Sequence, residues 1–177
     1  MIEEPQIKTQ KRKRVKFNPF PGLRPFSVEE SHLFFGREGQ SDEVLKKLAA
    51  NRFTAVIGAS GSGKSSLLYC GVIPTVYGGF ISQAGDSWKM VVARPGNSPI
   101  DNLAQAIVES DNNNLSENKE ELKIRKTINS AMLRSSSLGL IEAIKQSNKN
   151  KKQNILVLID QFEELFRFKK SKENENS

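Results

Sequence analysis

The stretch FTAVIGASGSGKSS, residues 53–66, passes from an apolar run into a glycine loop and, with Leu67 and Leu68, into a helical pattern. Its first five residues are apolar or β-branched, the composition of a strand. Gly58, Ala59, Ser60, Gly61, Ser62, Gly63, Lys64 and Ser65 then satisfy the spacing G-x-x-x-x-G-K-S/T at every fixed position. Such a loop wraps a phosphate with its N–H groups turned inward, through φ/ψ values that are costly for residues with a Cβ. The helix behind it aims its positive end at the same phosphate. Lys64 would reach the β- and γ-phosphate oxygens, and the Ser65 hydroxyl would ligate Mg²⁺. Ser66 either assists at the α-phosphate or lies on the helix surface. A glycine turn with a merely solvated lysine is the competing reading, and the strand before and helix after the loop argue against it.

Ninety residues after Ser65 begins ILVLIDQFEELF, residues 155–166. Five apolar residues lead to Asp160, where the tip of a parallel strand faces the ligand crevice and a carboxylate can hold a magnesium-bound water. The bland alternative is that Asp160 caps the turn that follows. The next position is Gln161, so an acid to activate water must stand further along. Glu163 and Glu164, three and four residues on, return to the strand-tip side if the chain turns helical at Gln161. Either could orient or deprotonate the attacking water, or both could be first-turn acids favoured by the helix dipole.

Between these two stretches the pattern alternates. SDEVLKKLAAN, before the loop, predicts a helix over 40–51 with Ser41 as its N-cap. Gly71 and Pro74 are expected to end the helix behind the loop. WKMVVA predicts a buried strand, and Ser98-Pro99 opens a helix with Ile100, Leu103, Ile107 and Val108 inward. Helical patterning returns over 119–144, with a break near 135–137. Strand, loop, helix, strand, helices and strand together mean α/β with a parallel sheet. Ahead of all this, Pro19, Pro21 and Pro25 impose an extended lead-in that carries Phe17, Phe20, Phe26, Phe34 and Phe35.

The chain has 177 residues, 37% hydrophobic and 27% charged, enough for one domain with solvated margins. Its net charge of +7 is uneven. Residues 1–16 hold six basic and two acidic side chains, and without them the charge is +3. Residues 1–17 therefore read as a basic disordered arm; a nucleic-acid contact through it is open but not favoured, because no aromatic residue is interleaved. Residues 169–177 read as a disordered polar tail. No apolar run approaches the roughly 20 residues of a membrane span, there is no signal-peptide pattern, and one cysteine, Cys70, permits no intrachain disulfide. The expected location is the cytoplasm, with no membrane partner. Cys70 reads as a small buried hydrophobe.

NPFPGLRPF, LFFGRE, VIGASGSGKSSLL, Arg94-Pro95-Gly96 and LIDQFEELF follow one another here as they do in the novel STAND NTPases. The chain resembles that group over 18–168. These are signal-transduction ATPases of the P-loop class, often joined to β-propeller repeats or protease-like effector domains. The resemblance implies an AAA/STAND-like three-layer α/β fold with a mostly parallel sheet, ATP and Mg²⁺ as ligands, and hydrolysis coupled to a signalling or assembly switch. It also implies self-association or effector and repeat domains as partners. Gly58 to Ser65 match its Walker A loop, and Asp160 its Walker B aspartate. Gly36, Arg37 and Glu38 match an element that packs near the adenine. The related NACHT group carries its extra acids three and four residues after the aspartate, as Glu163 and Glu164 stand here. For Arg94 a sheet-end salt bridge and nucleotide sensing are both open; His32 is expected to be structural. One departure stands out. The family's sensor strand, next strand and helical lid would follow Phe168, where this sequence reads KKSKENENS, so the domain is expected to be truncated after the Walker B strand. A non-hydrolysing nucleotide-binding or scaffold fragment is the alternative, and a DNA-associated AAA-type ATPase a second one.

Overall fold

The computed structural model describes residues 19–78, 87–111, 118–147 and 153–167. Residues 1–18, 79–86, 112–117, 148–152 and 168–177, among them the expected basic arm and polar tail, lie outside the described residues. Two strands, β1 (Trp88–Ala93) and β2 (Asn154–Ile159), pair in parallel, from Trp88 opposite Asn154 to Ala93 opposite Ile159. Both were legible as apolar runs. Alternation along them sends side chains to two cores. Met90 and Leu158, with Trp88 and Leu156, pack against Leu45, Val72, Ile73 and Val76. Val91 and Ala93, with Ile155, Val157 and Ile159, pack against Ala106, Ile107 and Ala143. Helices thus cover both faces of the pair. Leu45 and Ile107 are fully buried, each stabilising by about 1.5–3 kcal/mol relative to an exposed side chain.

On the first face lies α1 (Glu38–Asn51), which begins two residues before the predicted start. Arg37 occupies the N-cap position, and Glu38 Oε1 accepts from Gly36 N at 3.0 Å. Ser41, the expected cap, is buried in the first turn instead, where its hydroxyl reaches the Arg37 carbonyl at 3.4 Å. The same face holds α2 (Lys64–Ser66), a π-helical turn (Leu67–Val72) and α3 (Ile73–Tyr77).

The expectation that Gly71 and Pro74 stop this helix is corrected: it runs on to Tyr77. A π turn spaces carbonyls five residues from their donors, as Ile73 N to Leu68 O does here, and relieves the clash a proline ring makes in α register. Pro74 then sits in the first turn of α3, where the N–H it lacks is not required. Gly71 is a contact rather than a stop. A Cβ there would lie 2.0 Å from Ser41 Oγ, so glycine is what lets α1 approach.

The other face carries α4 (Pro99–Asp111), α5 (Lys119–Ser135) and α6 (Gly139–Ser147), with the break between α5 and α6 where it was expected. One predicted strand is not formed. Residues 53–57 form no strand and pair with none among the described residues, leaving Phe53 77% and Ile57 92% exposed. The apolar run had suggested burial on both faces; instead Phe53, Ala55 and Ile57 are exposed, and Thr54 and Val56 half-buried. The fold is therefore α/β and mostly helical, built around one parallel strand pair.

Candidate functional site

The site forms where β2 ends. Asp160 follows the strand directly, and its N–H continues the ladder to the Ala93 carbonyl at 2.9 Å. Gln161 then takes φ 57°, a left-handed conformation that costs about 1–2 kcal/mol for a residue with a Cβ. That residue turns the chain sharply. Glu164, Leu165 and Phe166 donate to Gln161, Phe162 and Glu163, so the following segment is a tight i→i+3 helical turn.

The glycine loop meets this tip. Gly61 and Gly63 have φ of 75° and 82°, where glycine carries no steric penalty, and Gly63 is the N-cap of α2. The Lys64 ammonium donates to the Gly58 and Ala59 carbonyls at 2.8 and 2.9 Å, closing the loop on itself. Arg37 Nη1 donates to the Ser62 carbonyl at 2.7 Å, so the residue before α1 is latched to the loop. Ser65 Oγ donates to Asp160 Oδ1 at 2.8 Å across 95 residues of sequence. Tyr69 Oη donates to Oδ2 of the same carboxylate at 3.2 Å. Burial first, then the Asp160 charge, pushes the Tyr69 phenol up to about 12, so it keeps its proton and remains a donor.

The two glutamates part company. Glu164 has 15% of its side chain exposed; it accepts from Arg94 Nε at 3.1 Å and from Gly96 N at 2.9 Å. Asn102 holds the other side of that turn, donating to the Arg94 and Pro95 carbonyls at 3.3 and 2.8 Å. Arg94 thus makes the sheet-end salt bridge. Glu163 is exposed. Ser66 is buried and accepts from Phe26 N at 3.2 Å, so its hydroxyl faces the lead-in segment. Cys70 Sγ donates to the Ser27 carbonyl at 3.2 Å, and burial, followed by Glu30 and Glu29, pushes the thiol up and keeps it unreactive. His32, exposed in a 3₁₀ stretch (Val28–Leu33), stands away from the loop.

The donor set has a definite chemical preference. Asp160 is an acceptor whose two oxygens take hydrogen bonds from neutral hydroxyls, beside a loop rich in backbone N–H groups. Hard oxygen donors of this kind suit Mg²⁺, which takes one or two protein ligands and fills the rest with water and phosphate oxygens. Among the described residues no three His, Cys, Asp or Glu converge as a metal cage.

The family model for Novel STAND NTPase 1 matches residues 19–177. The chain belongs to that family. Within this STAND NTPase the glycine loop, the strand tip and the Arg-Pro-Gly turn lie in the matched region, and the family's chemistry is that of a nucleoside triphosphatase. No curated protein and no solved structure matches it. No helix among the described residues is long and apolar enough to cross a membrane. Sequence reasoning missed two parts of the site. Tyr69 stands four residues after Ser65, one helical turn on, and that spacing was the available signal. A salt bridge at Arg94 was one of its two open readings, but the partner, Glu164, lies 70 residues away and left no local signal.

Proposed function

We propose that this STAND NTPase binds ATP with Mg²⁺ at the 58–65 loop and hydrolyses it as part of a signalling or assembly switch. One observation carries the reading: the Ser65 hydroxyl and the Asp160 carboxylate, far apart in sequence, are brought to 2.8 Å beside the glycine loop. Ser65 and Asp160 are the residues that would hold Mg²⁺, which supplies charge neutralisation for the phosphates when bound. Lys64, with two N–H groups on loop carbonyls, keeps the loop curved and presents its charge at the phosphates. Arg37 braces the loop from the α1 side through the Ser62 carbonyl, and Gly36, Arg37 and Glu38 are the element that would pack near the adenine.

Of the two acids, Glu163 is the one free to orient the attacking water, and Glu164 is engaged in holding the Arg94–Gly96 turn. Glu163→Gln is expected to lower turnover about 100-fold or more with ATP affinity retained. Glu164→Gln is expected to weaken turnover less, through loss of the turn's position.

A second reading, binding without turnover, is favoured by the open 53–57 segment, which no strand among the described residues braces directly ahead of the loop. Calorimetry of ATP binding together with phosphate release decides between them. Binding with turnover that falls in Glu163→Gln supports the first reading, and binding with no turnover in the parent chain selects the second. No ATP binding, or binding unchanged in Lys64→Ala, overturns both.

A further inference from the structure

Among the described residues, Tyr69 stands at the strand tip without a motif that accounts for it. Its ring packs against the core of Leu45, Val72 and Leu158, so the core holds it in place. From that anchor its hydroxyl reaches Asp160 Oδ2 at 3.2 Å, while Ser65 takes Oδ1 at 2.8 Å. An aspartate carboxylate rotates about its Cβ–Cγ bond, and a donor on one oxygen alone constrains that rotation weakly. Two donors on opposite oxygens, each on a helical segment packed into the core, fix the plane of the group. Each oxygen keeps a second lone pair directed away from its donor.

We propose that Tyr69 is a positioning residue for Mg²⁺: it orients the Asp160 carboxylate so that its remaining lone pairs face the cation beside the loop. The inference rests on the nucleotide-site reading above and assigns a role within it to a residue that acts only through Asp160. Groups that hydrogen-bond a metal-binding carboxylate commonly change metal affinity by 10- to 100-fold when removed. Among the described residues the Tyr69 hydroxyl hydrogen-bonds Asp160 alone.

The test is calorimetric titration of ATP into the full chain, in EDTA and across a Mg²⁺ series, for the parent and Tyr69→Phe. Removal of one oxygen leaves the ring packing intact. In EDTA the two proteins are expected to bind ATP within about twofold of each other, whereas the Mg²⁺ concentration giving half of the affinity gain rises about 10-fold in the variant. An unchanged Mg²⁺ midpoint overturns the proposal, and so does an equal loss in EDTA, which marks a merely structural role. Asp160→Asn and the double variant Asp160→Asn/Tyr69→Phe complete a cycle. If Tyr69 acts through Asp160, Tyr69→Phe adds nothing once Asp160 is gone; additive losses overturn the proposal even if the single variant is less stable. A parent chain that binds no ATP overturns the nucleotide-site reading and this inference with it, an outcome distinct from binding whose Mg²⁺ midpoint ignores Tyr69.

Discussion

The two strands are finished in opposite ways at their two ends. At the base, Lys89 of β1 is only 7% exposed and its ammonium meets Asp111, the last residue of α4. The same ammonium donates to Ser147 Oγ, the last residue of α6, at 2.6 Å, and Arg125 of α5 takes the other Asp111 oxygen. A carboxylate at a helix C-terminus opposes the dipole, and two cations offset it. At the tip, the Asp160 carboxylate is held by two neutral hydroxyls. The base is a neutralised knot that fastens three helices to the sheet, whereas the tip carboxylate is held by hydroxyls rather than by cations. Under the proposed function, one end fastens the fold and the other meets the ligand.

The largest effect is expected from cutting the knot. Asp111→Ala strips the partner from a buried ammonium, and breaking a buried ion pair from one side costs about 3–5 kcal/mol. Urea denaturation checks this through a lower midpoint at unchanged slope. Calorimetry below the shifted midpoint is expected to show ATP affinity close to that of the parent. A variant that keeps its stability and loses ATP binding would mean that the division between base and tip is wrong. Arg125→Ala, with a partner that is still paired to Lys89 and a side chain 28% exposed, is expected to cost about 1 kcal/mol.

The tip should respond in the reverse sense. Asp160→Asn removes the carboxylate charge and leaves an amide that can still accept from Ser65, so stability is expected to move by less than about 1 kcal/mol. Mg²⁺-dependent ATP affinity is expected to fall about 100-fold, the upper end of what is lost when a group that only supports a metal ligand is removed. Equal ATP affinity with and without Mg²⁺ in the parent chain would sink this half of the comparison.

How much of this was legible beforehand follows from the range of each cue. Both strands, the glycine loop and the Ser98-Pro99 start of α4 are local patterns, and the structure forms all of them. The start of α1 was misplaced because Ser41 is as good a cap by type as Arg37 is poor, and burial against Gly71 outweighs that preference. Pro74 was misread as a stop because a π turn ahead of it removes the clash that makes proline a stop. Residues 53–57 have the composition of a strand, yet strand formation needs a neighbour, which composition does not supply. In the candidate site, spacing rules pointed to Ser65 and Asp160, and the structure brings the two side chains together. The separation of Glu163 from Glu164 needed Arg94 and Gly96, residues 68 to 70 positions away that carry no mark of the partnership.

The smallest expected effect concerns acid, and it sharpens which end gives way first. Two carboxylates on the tip side sit far below their ordinary range. Asp101, in the first turn of α4, is lowered to about 2 by hydrogen bonds from Arg134 and then Ser130. Glu30, in the lead-in, is lowered to about 2 by Arg24 and then the Ser27 backbone. A carboxyl that binds its proton less readily folded than unfolded contributes stability above the unfolded value, and loses it as pH falls toward the folded value. The window therefore runs from about pH 4.5 down to about pH 2. Both pairs are exposed to solvent and salt screens them, so the slope is expected to be shallow. Urea midpoints measured across that window for the parent and for Asp101→Asn/Glu30→Gln provide the check. The double variant is expected to lose stability less steeply on acidification, with the gap between the two curves closing toward the acid end. Parallel curves would assign acid sensitivity to the buried knot instead, and the base would then be the end that fails first.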